Sequence, residues 1–153
     1  AGGIPELLER LEVGLLVLPD VEEEDPLRRE ITALAEECGC TNYSFEGATD
    51  HPEEYYRKAG ILCMTSTFEG FGMVLIEGMQ HGCIPMAFES FTAVRDIIEP
   101  DRTGILVPPF DLEQYAARLL DLMRDGGKRE AMSAARIAGL WENLLSKLAE
   151  KPR

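Results

Sequence analysis

Between Ile61 and Gly82 an apolar tetrapeptide, a turn holding two glycines and an apolar helix follow one another, and this succession constrains the chain more than any bulk property. Ile61-Leu62-Cys63-Met64 reads as a buried parallel strand, short and apolar throughout. Residues 65–72 make the turn, and Met73-Val74-Leu75-Ile76-Glu77 open a helix that runs up to His81 and Gly82. A strand, a glycine turn and a helix start together form an anion cradle. Glycines let backbone N–H groups approach a ligand, and the helix start adds partial positive charge. Glu69 and Glu77 flank this cradle. Were both helical, they would stand roughly 80° apart around the axis, which neither a shared face nor an i,i+4 pair explains. The simpler reading puts Glu69 in the loop beside a bound phosphate and Glu77 about a turn into the helix. Carboxylates so placed suit sugar and ribose hydroxyls, which are donors. The plainer alternative is a tight turn needing positive φ at Gly70 and Gly72, with Glu69 merely solvated.

The same alternation runs along the chain. Residues 14–18, 43–45, 61–64, 84–88 and 105–107 read as five short strands. Between the first two, Leu27, Ile31, Leu34, Ala35 and Cys38 mark one apolar face of a helix. Asp25 can cap it, Pro26 suits its first position, and Glu22-Glu23-Glu24 favour its positive end. Asp50-His51-Pro52-Glu53-Glu54 opens a second helix in the same way. Asp111 begins another, with Leu112, Tyr115, Ala116, Leu119, Leu120 and Met123 at helical spacing, and Asp125-Gly126-Gly127 stop it. A last helical segment, 129–153, carries Ile137, Leu140, Trp141, Leu144, Leu145 and Leu148 and reads as a docking element. Residues 1–12 read as a leading helix or a remnant ahead of the domain. The fold class is α/β: one Rossmann-like, doubly wound parallel sheet covered on both faces. Ligands in such sheets bind beyond the carboxyl ends of the strands, and the turn from Glu69 to Gly72 lies on that edge.

At 153 residues the chain reads as a single domain, able to bury roughly 68–70% of its unfolded surface. Its 28 acidic and 15 basic residues leave a net charge of −13, which argues against nucleic acid or an anionic membrane as the main partner. A diphosphate ligand must therefore find its positive potential locally, in the cradle's N–H groups, or borrow it from another part of the molecule. Cys38-Gly39-Cys40 sits at a helix end without the second pair a zinc site needs, and Cys63 and Cys83 fall in or beside strands, where buried thiols are common. The four read as structural thiols of a reducing cytoplasm. His81 reads as a helix C-terminal cap.

The segment from Ser66 to Pro85 resembles the signature of retaining glycosyltransferases of family 4, which adopt the two-lobed GT-B fold. The likeness rests on Glu69, on Gly70-Phe71-Gly72, on Glu77 eight positions after the first acid, and on Gly82-Cys83-Ile84-Pro85. It continues through Gly104-Ile105-Leu106-Val107-Pro108 and Asp111, and upstream through Phe45-Glu46-Gly47 and Tyr55-Tyr56-Arg57-Lys58-Ala59. The resemblance implies the donor-binding lobe of an enzyme that moves a hexose from a nucleotide-diphosphate sugar to a glycan, polysaccharide or lipid-linked acceptor. It implies that Gly70, Phe71, Gly72 and Met73 face the donor, and that Glu77 takes the ribose. Glu69, the candidate catalytic residue, would hold the transferred sugar as a positioning and electrostatic group. No metal and no cofactor is implied. Where the family carries Gly-x-Gly after its first strand, this chain has Pro19-Asp20-Val21, and the family's diphosphate-neutralising Arg and Lys have no counterpart here. The family's amino-terminal acceptor lobe is expected to be missing, so one lobe alone should transfer little sugar and self-association is expected. The competing reading is a non-catalytic Rossmann-like module that pairs with a partner lobe. A phospho-receiver or flavodoxin fails on residues: Met64-Thr65-Ser66 and Pro108-Pro109 stand where a receiver needs Asp and Lys, and Pro19-Asp20 where a flavodoxin needs its phosphate loop.

Overall fold

The computed structural model describes residues 15–17 and 25–135. The contacts divide the chain into two compact units, Ala1–His51 and Pro52–Arg153. The triple Glu22-Glu23-Glu24, the turn at Pro19, the leading segment and the apolar positions from Ile137 to Leu148 lie outside the described residues.

The first unit pairs two parallel strands, β1 (Leu15–Val17) and β2 (Tyr43–Phe45), around helix α1 (Pro26–Glu37). Asp25 caps α1 as its sequence requires, its carboxylate accepting from the Leu27 N–H at 2.7 Å, with Pro26 at the first position. The helix ends on Cys38 with Gly39 in the left-handed region. Cys40 N–H bonds back to Ala35 O and Gly39 N–H to Glu36 O, the reciprocal pair of a Schellman cap. Cys38-Gly39-Cys40 is thus a helix stop, and its glycine is needed for φ +67°. The apolar face expected of α1 is not buried: Leu27 is 48% and Leu34 60% exposed. A ribbon of two three-residue strands is too narrow to bury such a stripe. Arg28 lies over the Phe45 ring, 4.7 Å from its centroid.

The second unit holds the sheet that matters for the site. Strands β3 (Ile61–Met64), β4 (Ile84–Phe88) and β5 (Ile105–Val107) pair in parallel in the order β3-β4-β5. Helix α2 (Pro52–Tyr56) precedes them, α3 (Met73–Gln80) and α4 (Val94–Ile97) run between them, and α5 (Leu112–Arg124) follows, with helical residues 126–135 after it. Central β4 is buried at every position, and its pleat divides the core. Ile84, Met86 and Phe88 join Ile105, Val107, Tyr115, Leu122 and Met132 in one cluster, on the side of α5. Ala87 joins Met64, Leu75, Val94 and Ile98 in the other, on the side of α3 and α4. The sheet is therefore covered on both faces. Strand β3 departs from the sequence reading. It is the outer strand of this sheet, so only Met64 is buried, Ile61 and Leu62 are partly covered and Cys63 is exposed, while Cys83 is buried.

A proline in a central strand normally forfeits a ladder bond. Pro85 does not. Ile84 N–H bonds Gly60 O on the β3 side, so alternation turns the Pro85 nitrogen toward β5, one residue before that ladder begins at Met86 and Ile105. Gly104 lies against the ring there. A Cβ on Gly104 would stand 2.5 Å from the Pro85 carbonyl oxygen and 2.6 Å from its Cγ.

Candidate functional site

The site grows from the end of β3. After Met64 the chain leaves the sheet, and Ser90, from the loop after β4, donates its hydroxyl to Ser66 O at 2.8 Å. The loops that follow β3 and β4 are thereby tied together at the carboxyl edge of the sheet. Beyond β5, Pro108, Pro109 and Phe110 form the third loop of that edge, with Phe110 at φ +64° and its ring 6.0 Å from that of buried Phe88.

Gly72 is the pivot of the cradle. It is the N-cap of α3, with φ +80° and ψ +42°, and no side chain caps the helix. The Phe91 ring closes over it: a Cβ there would lie 2.8 Å from Phe91 Cζ and 3.0 Å from Cε2. Only glycine meets both demands at once. Gly70 behaves otherwise: its φ is not positive, and a Cβ would meet nothing within 4 Å. The two-glycine turn of the sequence is therefore one obligatory glycine and one permissive one. Leu75 N–H bonds Gly72 O at 3.0 Å, which starts the helix and leaves the amides of its first turn directed outward. Phe71 and Met73, 49% and 55% exposed, flank this opening.

Glu69 is half-buried in the loop ahead of Gly72, and no hydrogen bond or ion pair joins its carboxylate to another described residue. Glu77 sits in the second turn of α3, half-buried, with the Tyr56 hydroxyl 3.4 Å from its Oε2. Burial, then the neighbouring Glu77 carboxylate, pushes the Tyr56 phenol above its ordinary pKa. The structure therefore gathers Glu69, Gly70, Phe71, Gly72 and Met73 into one turn and places Glu77 a little over a helical turn beyond it.

Helix α3 is fixed at its far end as well. His81 is its C-cap, with ring Nδ1 2.9 Å from Glu77 O. Gly82 adopts φ +105°, and the bonds from Gly82 N–H to Met79 O and Cys83 N–H to Gly78 O make a second Schellman cap. That cap delivers the chain straight into β4, which accounts for the glycine two residues ahead of Ile84. Midway, Gly78 lets α3 approach the sheet: a Cβ there would stand 2.5 Å from Leu62 Cδ2. Two partners escaped the sequence reading. Phe91 carries no sequence signal, whereas Tyr56 lies in a segment already noted. Among the described residues no group of three or more His, Cys, Asp or Glu is placed to hold a metal ion.

A parallel sheet covered on both faces, with an uncapped helix start and two acids at its carboxyl edge, defines a Rossmann-like lobe of the GT-B glycosyltransferase kind. The chain belongs to the family described as Glycosyl transferases group 1, which it matches over residues 3–138. Its sequence is 34% identical, over 59% of this chain and 24% of the relative, to the amylovoran biosynthesis glycosyltransferase AmsD of Erwinia amylovora. It is 30% identical, over 80% of this chain and 30% of the relative, to the D-inositol 3-phosphate glycosyltransferase of Xylanimonas cellulosilytica. Among solved structures, the C-terminal domain of a glycosyl transferase group 1 family protein, LpcC of Francisella tularensis, superposes with a TM-score of 0.73 at 25% identity. That match covers 86% of this chain and 70% of the other. TarM of S. aureus, solved with UDP, shares the fold at a TM-score of 0.73 and 21% identity, over 94% of this chain and 30% of TarM. The chain spans less than a third of the length of either curated relative.

Proposed function

We propose that this chain is the nucleotide-sugar-binding lobe of a retaining glycosyltransferase of family 4 that moves a hexose to a glycan or polysaccharide acceptor. The observation that carries the reading is the uncapped start of α3 at Gly72, opening between Glu69 and Glu77. The outward amides of Gly72, Met73 and their neighbours receive the diphosphate. Glu77 accepts from the ribose hydroxyls, and Glu69 accepts from hydroxyls of the transferred sugar. Loss of the diphosphate leaves negative charge on its oxygens, and fixed N–H dipoles stabilise that charge as it forms. Glu69 orients the sugar and opposes the positive charge that builds at its reacting carbon. Proteins of the same fold have been solved with UDP, among them TarM of S. aureus and HepE of Anabaena, which supports a nucleotide donor. AmsD, named for polysaccharide biosynthesis, supports a saccharide acceptor.

The family's cleft lies between two lobes, so this chain alone is expected to bind donor and transfer little sugar. Free thiols suit a reducing, cytoplasmic setting, and no described helix is long and apolar enough to cross a membrane. The test is a titration of the 153-residue chain with uridine and guanosine diphosphates, followed by amide NMR. Shifts confined to residues 69–77 and their neighbours are expected. Absence of any localised shift at millimolar nucleotide overturns the proposal in favour of a non-catalytic assembly module.

A further inference from the structure

Glu77 is not left to find its own orientation. Tyr56 closes α2, and its side chain is 5% exposed, so its hydroxyl needs a partner inside the protein. The hydrogen bond it makes crosses from α2 to α3, with Oη 3.4 Å from Glu77 Oε2. At that length, beyond the roughly 2.5–3.0 Å usual for an O–H donor, the phenol orients the carboxylate without saturating it. Glu77 Oε1 and the second lone pair of Oε2 remain for a ligand. Tyr56 is itself clamped. The buried Cys83 thiol donates to Tyr56 O at 3.2 Å, and the His81 ring lies 5.8 Å from the Tyr56 ring at an interplanar angle of 34°. His81 in turn contacts Glu77 O through Nδ1 at 2.9 Å. Tyr56, Glu77, His81 and Cys83 thus form one linked set, and the Glu77 carboxylate is its acceptor on the helix that the cradle opens.

From this geometry we infer that Tyr56 is a positioning residue, presetting the Glu77 carboxylate to accept a vicinal diol. The inference rests on the donor-site reading above, in which that diol is the ribose of the nucleotide. A free glutamate must be ordered by its ligand, and holding it in place beforehand removes that cost from binding. The same phenol gives specificity, because a nucleotide without its ribose hydroxyls leaves the preset carboxylate unanswered.

The test measures binding of UDP and of 2′,3′-dideoxyuridine diphosphate by calorimetry, with GDP and its dideoxy form in parallel. The wild-type chain is expected to prefer the ribose form by tenfold or more. Tyr56→Phe keeps the ring and is expected to weaken the ribose form about tenfold, leaving the dideoxy form unchanged within about twofold. Glu77→Gln sets the baseline, and the double variant is expected to be no weaker than Glu77→Gln alone, since Tyr56 acts through Glu77. Equal weakening of both ligands by Tyr56→Phe, or undiminished discrimination, overturns the positioning role while the wild-type preference leaves the donor site standing. A wild type that binds no nucleotide, or does not discriminate, overturns the donor-site reading instead. Should Tyr56→Phe fold poorly by thermal melting, the wild type supplies the readout. Its Tyr56 ring resonances should shift with UDP and not with the dideoxy form, and equal shifts with both would refute the role.

Discussion

Replacing Gly72 with alanine tests the pivot of the cradle directly. Two costs add. The backbone at φ +80° lies in the left-handed region, where a Cβ costs roughly 1–2 kcal/mol. The new methyl would also lie 2.8 Å from Phe91 Cζ and 3.0 Å from Cε2, and such overpacking costs about 1–3 kcal/mol. The sum is about 2–5 kcal/mol, and at roughly 2–4 °C per kcal/mol for a chain of this length the melting temperature should fall by about 4–20 °C. Thermal melts by circular dichroism measure it. The two costs separate in the double variant Gly72→Ala/Phe91→Leu, which removes the aromatic edge and should recover part of the steric share but none of the backbone share. Neighbours in contact couple by about 0.5–3 kcal/mol, well within reach of the assay. A Gly72→Ala chain melting within 2 °C of wild type would refute the backbone argument. Strict additivity in the double variant would refute the contact with Phe91.

Gly104→Ala meets a carbonyl oxygen and a proline ring rather than a mobile side chain, so relaxation is poor and a loss of about 3 kcal/mol in urea denaturation is expected. Glu69→Ala should leave stability within about 0.5 kcal/mol, because no described residue relies on its carboxylate. The same variant should lose the extra affinity of UDP-glucose over UDP in calorimetry. Tyr115→Phe removes the hydroxyl that donates to Met86 O at 2.8 Å and should cost about 1 kcal/mol near neutral pH. Burial raises the Tyr115 phenol far above its ordinary pKa, with smaller contributions from Cys63, so the native state keeps a proton that the unfolded chain releases. Its stabilising effect is whole below about pH 10 and declines above it, by up to about 1.4 kcal/mol per pH unit, and Tyr115→Phe should flatten that decline in alkaline denaturation curves.

Much of this was legible from local pattern. The boundaries of β3 to β5 follow from short apolar runs with Gly60, Gly82 and Gly104 just ahead of them and Pro108 after the last, and Asp25 and Asp111 cap their helices because a carboxylate beside a helical run has few better uses. Glu69 stands in the loop and Glu77 in the second turn of α3 because strand, turn and helix run consecutively. What was hidden depends on residues distant in sequence. The Phe91 ring over Gly72 and the Tyr56 hydroxyl beside Glu77 join separate elements, and no spacing rule reaches across them. The short α4 lacks enough turns to show a period. Helix α1 misled in the opposite sense, since its stripe at Leu27 and Leu34 says that a face is apolar but not what covers it. Strand β3 misled for a related reason, because an apolar run does not reveal whether its strand lies at the centre or the margin of its sheet.

The fit of Gly104 against Pro85 acts as a registration mark for the whole carboxyl edge. Sliding β5 by one residue in either direction would press Thr103 or Ile105 into the proline, and neither has room. The loops after β4 and β5 are thus indexed to each other before any ligand arrives. Drift at these two positions should be one-sided: a lineage can give up the proline ring and keep the glycine, whereas the backbone oxygen at position 85 excludes a Cβ at position 104 whatever side chain stands beside it.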